Sequence, residues 1–440
     1  MTSQTIPFIG GFESTYLPAH DRDVFETTAH DVHWRADLDR LQACGVGTLR
    51  YPIRWHRIEQ RPGRFDWACV DPVLEHLAET GTVVIADLVH HTSYPRWLEG
   101  GFGDPRFGPA LLRFVERFAE RYPWIPAYQV LNEPFATLLL CAHEGLWPPY
   151  HRGMRAFVAM LLNVMPPFLE ATRRARELLP DAWHLYGDSC EHHSSAGREG
   201  AAFAAVANDR RFFLLDVLLG HELDEARPFV AEVVAAGGRA LLDLEPGHVD
   251  VLGLDYYAHN QWQYWSREDG IVSAPDPLPL ADVIEQYWHR YRLPLVLGET
   301  NVRGFASDRA TWLKYTLEQC EMARERGVPL NGYCWFPFVD SCDWDSLLYE
   351  CRGSIDPVGA FWLDERRNRH ASSMSRSYAL AASGTPSSEL PAYRLQPPVS
   401  DWLRGWLHHV PHWEWQEPPR REIAVPGEPA RIELRIRTAA

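Results

Sequence analysis

The sequence predicts an α/β fold, a (β/α)8 TIM barrel with a short β-rich C-terminal tail packed on it. Three observations carry this. Eight short, apolar, β-rich runs recur over about 380 residues. Amphipathic stretches at helical spacing separate them. The first run is followed by GGFEST, which has two glycines but no G-x-G-x-x-G turn, so an open doubly wound sheet ranks below a closed barrel.

The strand segments, in order, are PFIGGFE (7–13), GTLRYPIRW (47–55), TVVIADLVH (82–90), AYQVLNEP (127–134), AWHLYGDS (182–189), VDVLGLDYY (249–257), PLVLGET (294–300) and LNGYCWFPF (330–338). Between them, DVHWRADLDRLQACG has a helical apolar stripe and stops on Gly45, and VDPVLEHLAETG stops on Gly81. GPALLRFVERFAERYP, FVAMLLNVMPPFLEATRRARELLP and DRATWLKYTLEQCEMARERG follow the same pattern. Pro166–Pro167 is predicted to kink or split the fourth helix, because proline removes a helical N–H and crowds the preceding turn. On this reading residues 1–383 form the catalytic barrel and 384–440 an extension. The extension opens with a Pro/Ser-rich connector and ends in REIAVPGEPARIELRIRTAA, whose alternation reads as a hairpin. A lone hairpin is marginal in water, so the tail is expected to lie on the barrel.

Composition narrows the function classes. With 46% hydrophobic and 23% charged residues among 440, the chain is globular. A formal net charge of −16 leaves no electrostatic case for binding nucleic acid or an anionic membrane surface. No window offers the ~20 uninterrupted apolar residues of a membrane span. The N-terminal MTSQTIPFIGGFEST lacks a signal peptide's basic start and apolar run. Eight scattered Cys with no C-x-x-C pair read as free thiols. A cytoplasmic location is the expectation. The 18 Trp suit either flat ligand surfaces or a Trp-rich core.

In a barrel of this kind the chemistry lies at the C-terminal ends of the strands. There the sequence places Arg50 on strand two, His90–His91 after strand three, Asn132–Glu133 after strand four, Asp255 and Tyr257 at strand six, and Glu299 at strand seven. Glu133 and Glu299 sit at matching depth on strands that face each other across the mouth. Paired carboxyls across a cleft are what glycosidic bond cleavage requires: one protonated to support the departing oxygen, the other ionised. Carboxyls ~5 Å apart imply retention of configuration, and ~6.5–9.5 Å implies inversion. Arg50 is placed to keep one carboxylate ionised, and Tyr257 to donate to the same group. Glu133 needs partial burial and its neighbour's negative charge to stay protonated. Asn132 can donate to a sugar 2-hydroxyl. Trp262 and Trp265, after strand six, suit the leaving-group side. His90–His91 and His192–His193 raise a metal-dependent hydrolase, but adjacent strand residues point to opposite faces and no H-x-H or H-E-x-x-H occurs. No metal or cofactor is expected.

With these residues in view the sequence resembles glycoside hydrolase family 1, the β-glucosidase family of retaining barrels, over most of residues 7 to about 380. LNEP resembles the family's N-E-P motif, which implies Glu133 as acid/base. LRYPIRWHRIE is similar to its strand-two segment and implies Arg50 beside the nucleophile. HTSYPRWL implies His91 as a sugar contact, GLDYY implies Tyr257 as the nucleophile's partner, and VLGETN implies Glu299 as nucleophile. GYCWFPFVDSCDW implies Asp343 and Trp344 at glycone-binding positions. Six segments in order make the resemblance specific, whereas N-E-P alone is shared by several barrel families. The sequence departs from the family at Thr92, Asp255, Thr300, Phe336 and Asp343. The family's strand-one Gln has no clear match, Glu13 being nearest. These departures fall on sugar-contacting positions, so the chemistry is better supported than the sugar. The acidic VDSCDWDS disfavours a phosphorylated sugar.

The function expected is a retaining, exo-acting β-glycosidase on a small-molecule glycoside or oligosaccharide. The alternatives are a transglycosylase, a sugar-binding barrel without turnover, and a metal-dependent hydrolase. Oligomeric state is left open.

Overall fold

Eight parallel strands close into a ring: β1 (Phe8–Gly11), β2 (Thr48–Pro52), β3 (Val83–Asp87), β4 (Ala127–Gln129), β5 (Trp183–Ser189), β6 (Val251–Asp255), β7 (Leu295–Glu299) and β8 (Leu330–Cys334). Each pairs with its neighbours in chain order, and β8 closes on β1 with Phe8 opposite Tyr333. The computed structural model describes residues 6–266, 270–397, 399–403 and 405–419. The ring is closed, so the doubly wound alternative is excluded.

The helices outside the ring include α1 (His30–Ala43), α2 (Asp71–Glu79), α3 (Phe107–Arg121), α4 (Met154–Leu178), α5 (Arg198–Leu219), α6 (Leu280–Tyr291), α7 (Ala306–Glu325) and α8 (Ser373–Ala382). The split expected at Pro166–Pro167 does not occur: α4 runs unbroken through both. Its packing on α3 accounts for this, since Gly108 of α3 lies directly against the Pro167 ring and leaves it room. Long and apolar as it is, α4 is a barrel-wall helix with Phe157, Leu161, Met165 and Phe168 buried.

Strand alternation sorts the side chains. Ile9, Ile85, Ala127, Leu185, Val296 and Cys334 form a cluster inside the ring. Leu49, Val84, Tyr128, Leu252 and Leu297 face the helices. The same period turns Arg50, Asp87, Gln129 and Asp255 inward. Glu299 breaks the rule, because strict alternation from Leu297 would send it to the helix layer. A register irregularity lies between these two residues, so that Gly298 and Glu299 together oppose Asp255. Such a bulge re-aims the side chain that follows it, here toward the barrel axis.

The described part of the tail lies on α7 through Val399, Leu403, Trp406, Val410 and Trp413. Its strands are two-residue pieces, Ala392–Tyr393 pairing parallel with Trp415–Gln416. The hairpin expected over 421–440 lies outside the described residues. A three-stranded sheet with no counterpart in the sequence reading stands beyond the barrel: His192–Ser195, Gln261–Ser266 and Gly270–Ser273.

Candidate active site

The end of β4 shows how the backbone delivers its acid. Regular pairing stops at Gln129, but the Asn132 N–H still donates to Val89 O (2.9 Å) and the Glu133 N–H to Gly187 O (3.0 Å). Glu133 then takes a left-handed conformation, φ 42°, and Pro134 starts the helix Pro134–Ala142. Proline disfavours the right-handed helical region for the residue before it and fits the first position of a helix. A non-glycine residue in the left-handed region costs about 1–3 kcal/mol and recurs at functional sites. Asp188 caps the new helix, accepting from the Phe135 N–H (2.8 Å) and the Ala136 N–H (3.3 Å).

Opposite, Arg50 donates through Nη2 to Glu299 Oε1 and through Nη1 to Asn132 Oδ1 (2.8 Å). Its guanidinium lies over the Phe336 ring, 4.9 Å from the centroid. Tyr257 Oη donates to Glu299 Oε2 (2.5 Å). Both oxygens of Glu299 therefore accept from fixed donors. One carboxylate oxygen from each of Glu133, Asp255 and Glu299 lies within 4.8 Å of the other two. Three oxygens at that spacing can hold a small cation, but Arg50 already brings a positive charge to Glu299.

Burial, and then the negative charge of Glu299, raise Glu133 well above the ordinary carboxylic range. Its side chain is 12% exposed and His91 Nε2 lies 3.8 Å away. Burial, and then His90, hold His91 far below the usual imidazole range. Its Nδ1 lies 2.8 Å from Thr137 Oγ1, and the Asn132 amide donates to its Nε2 at 3.4 Å. His90 is the reverse. Burial opposes its charge, but Asp87 (2.7 Å) and Glu13 (3.4 Å) lift it to about 10. Glu13 in turn is brought down to about 2, against burial, by His90 and by the Thr15 hydroxyl.

These groups open on one pocket of about 310 Å³. Glu133, Glu299, Tyr257, His91, Glu13, Trp344 and Phe336 line it, and Trp262, Ile271 and His193 from the three-stranded sheet form a further wall. His91, Trp147 and Trp344 pack edge to face on one side, with Trp344 5.8 Å from His91.

Two predicted sugar contacts are placed elsewhere. Asp343 is fully buried and engaged: it ion-pairs with Arg22 and accepts from the N–H groups of Arg352, Gly353 and Ser354. It holds the loop after β8 in shape and does not line the pocket. Asp255 is likewise fully buried, beneath the floor rather than on it, wedged between Gly187 and Gly298. A methyl group at Gly298 would overlap its Oδ1, so only glycine fits there. Neither oxygen of Asp255 has a hydrogen-bond partner. Burial and Glu299 raise its carboxyl well above the ordinary range.

Several pocket residues went unpredicted: Glu144, Arg210, Asn301 and Arg303. Arg303 follows Glu299 by only four residues, and an arginine so near a strand end was the signal available. Arg210 stands on α5, within an insertion whose helix the apolar pattern did not mark.

An eight-stranded barrel with two carboxyls facing each other at its C-terminal mouth, one steadied by an arginine and a tyrosine, is a glycoside-hydrolase-like barrel. Comparison with known proteins agrees. The chain is 21% identical over 354 residues to β-glucosidase A of Thermotoga maritima, covering 72% of this chain and 78% of that one. It is 20% identical over 318 residues to a β-galactosidase of Sulfolobus acidocaldarius, covering 62% of each. The solved Thermotoga maritima β-glucosidase in complex with glucoimidazole superposes with a TM-score of 0.72 at 16% identity, over 88% of this chain and 98% of that chain. Its complex with cyclophellitol gives the same TM-score. No family model matches the sequence. The chain is a divergent relative of these β-glucosidases, and at this identity the structural likeness shows the fold.

Proposed function

We propose that the protein is a retaining, exo-acting β-glycosidase that works by double displacement. Glu299 attacks the anomeric carbon and forms a glycosyl-enzyme. Arg50 and Tyr257 keep its carboxylate aimed. Glu133 gives its proton to the departing oxygen. It then takes a proton from water as the second displacement releases the sugar. Asn132, expected to donate to the sugar's 2-hydroxyl, is buried behind the pocket lining; held by Arg50, its amide donates to His91 Nε2 (3.4 Å) and positions that ring. The observation that carries the reading is that an oxygen of Glu133 lies within 4.8 Å of one of Glu299, with Arg50 and Tyr257 fixed on Glu299 alone, an approach compatible with the shorter of the two carboxyl separations.

A second reading, a sugar-binding barrel without turnover, draws on Asp343, whose carboxylate is wholly engaged by Arg22 and the backbone. A panel of aryl β-glycosides separates the two, with the anomer of the first product read by NMR. Wild type should release the β-anomer, and Glu299→Gln should lower kcat by at least about 10⁴-fold. Near wild-type turnover in Glu299→Gln, or inversion, would remove the mechanism. Binding without turnover across the panel would favour the second reading. The eight cysteines are all free thiols, which supports a reducing compartment.

A further inference from the structure

Apart from Glu133, the acids lining the pocket are engaged. Glu299 is held by Arg50 and Tyr257, Glu13 by Thr15 and His90, Glu191 by His193, and Glu144 by His143. The donors are not. Arg303 lines the same pocket four residues beyond Glu299, and its side chain is only 9% exposed. Its Nη2 meets Asp356 Oδ1 at 2.8 Å, but Nε and Nη1 are buried and without a partner. Among the described residues it is the one arginine with two such nitrogens.

Two more unfilled groups are gathered about the same Asp356. Trp344 donates its backbone N–H to Asp356 Oδ2 (2.5 Å), and its buried indole Nε1 has no partner. Ser341 is paired with Asp356 across a two-residue antiparallel ladder, and its buried Oγ is also unfilled. Trp344 and Ser341 both line the pocket. This corner therefore offers donors, one of them cationic; Asp356 is spent on Arg303 and Trp344, and the acids of VDSCDWDS near it are paired as well, Asp340 with Arg309, Asp343 with Arg22 and Asp345 with Arg352. A buried donor without an acceptor is costly, by about 1–3 kcal/mol and more when charged. A ligand group that only accepts, and carries negative charge, relieves it.

We propose that Arg303 is a specificity-determining residue that recognises a carboxylate on the substrate, carried by the sugar or by the leaving group. The inference deepens the glycosidase reading and rests on it for the word substrate. Its test rests on binding as well as turnover.

The experiment compares wild type with Arg303→Gln and Arg303→Lys. The kinetic arms are 4-nitrophenyl β-glucoside (neutral), 4-nitrophenyl β-glucuronide (acid on the sugar) and 4-carboxyphenyl β-glucoside (acid on the leaving group). Calorimetric titration with glucuronate against glucose, and with 4-hydroxybenzoate against phenol, reads recognition without turnover. In wild type one anionic probe should be preferred over its neutral counterpart by at least about 10-fold, the worth of a charge-assisted hydrogen bond. That ratio should fall toward one in Arg303→Gln and be partly kept in Arg303→Lys. Which arm shows it tells the sugar from the leaving group. Equal treatment of charged and neutral probes by wild type overturns the proposal even if neither variant folds. So does a preference that survives Arg303→Gln. An intact binding preference with no glycoside cleaved would sink the hydrolase reading and leave this one standing.

Discussion

The Arg50 guanidinium reaches the Glu299 carboxylate across the interior of the barrel, and both side chains are 3% exposed. Neither residue faces inward for the same reason. Arg50 does so by strand alternation, Glu299 through the bulge at Gly298. Removing one partner of a buried pair costs about 3–5 kcal/mol, because the other charge is stranded. Arg50→Met should therefore melt several degrees lower than wild type near neutral pH. It should also lower kcat, because the nucleophile's carboxylate is no longer held toward the sugar. Melting curves and steady-state kinetics on one variant check both. An unchanged kcat at a temperature where the variant is folded would mean that Arg50 serves packing alone.

Tyr257 tests the other oxygen of Glu299. Its hydroxyl is a charge-assisted donor at 2.5 Å, a contact worth about 1.5–3 kcal/mol. Tyr257→Phe should lower kcat/KM by about 10- to 100-fold with the fold intact by circular dichroism. A loss confined to KM would place Tyr257 on the substrate instead.

Glu133 should set the alkaline limb. Its carboxyl is raised by burial and by Glu299, so the proton needed for the leaving group persists well above the pH at which a free glutamate gives it up. As pH rises through the raised value, kcat/KM should fall in proportion to the protonated fraction. Glu133→Gln should abolish that limb. An alkaline limb of the same midpoint in Glu133→Gln would assign it to another group.

Asp255 carries a stability prediction. A carboxyl whose folded pKa is raised contributes fully below its unfolded value, about 3.9. That contribution is lost as pH rises through the folded value, because the unfolded state sheds a proton that the native state keeps. Asp255→Asn has the same shape and no such loss. The variant should match wild type in Tm near pH 4 and exceed it by a growing margin toward pH 8. A margin that shrinks with pH would show that Asp255 is ionised and paired in the native state.

The sequence made the barrel legible because each strand announces itself twice, as an apolar run and as the polar residues that end it. It made Glu133, Glu299, Arg50 and Tyr257 legible because each lies at or near a strand end. What it hid depends on contacts between distant segments. Asp343 reads as a sugar contact until Arg22, from the opposite end of the chain, is seen to occupy it. Asp255 reads as exposed chemistry until Gly187 and Gly298 enclose it. The bulge at Gly298 cannot be read from a period-two pattern. Arg303 gains meaning only once the loop bearing Asp356 folds back on it.

The tail supplies the last prediction. Trp406 is 2% exposed and meets Trp312 of α7 edge to face, with ring centroids 5.8 Å apart. Trp312 Nε1 donates to Thr300 Oγ1 (3.1 Å), and Thr300 is the residue after Glu299. The extension is thus one indole away from the backbone that aims the nucleophile. Trp406→Ala leaves a cavity on α7 and should cost about 3–5 kcal/mol of stability. Through Trp312 it should also lower kcat while KM holds, because Glu299 is aimed less well rather than the sugar held less tightly. Trp406→Phe keeps most of the packing and should recover most of kcat. If Trp406→Ala destabilises the chain and kcat is untouched at a temperature where the variant is folded, the tail stabilises the barrel without reaching its chemistry.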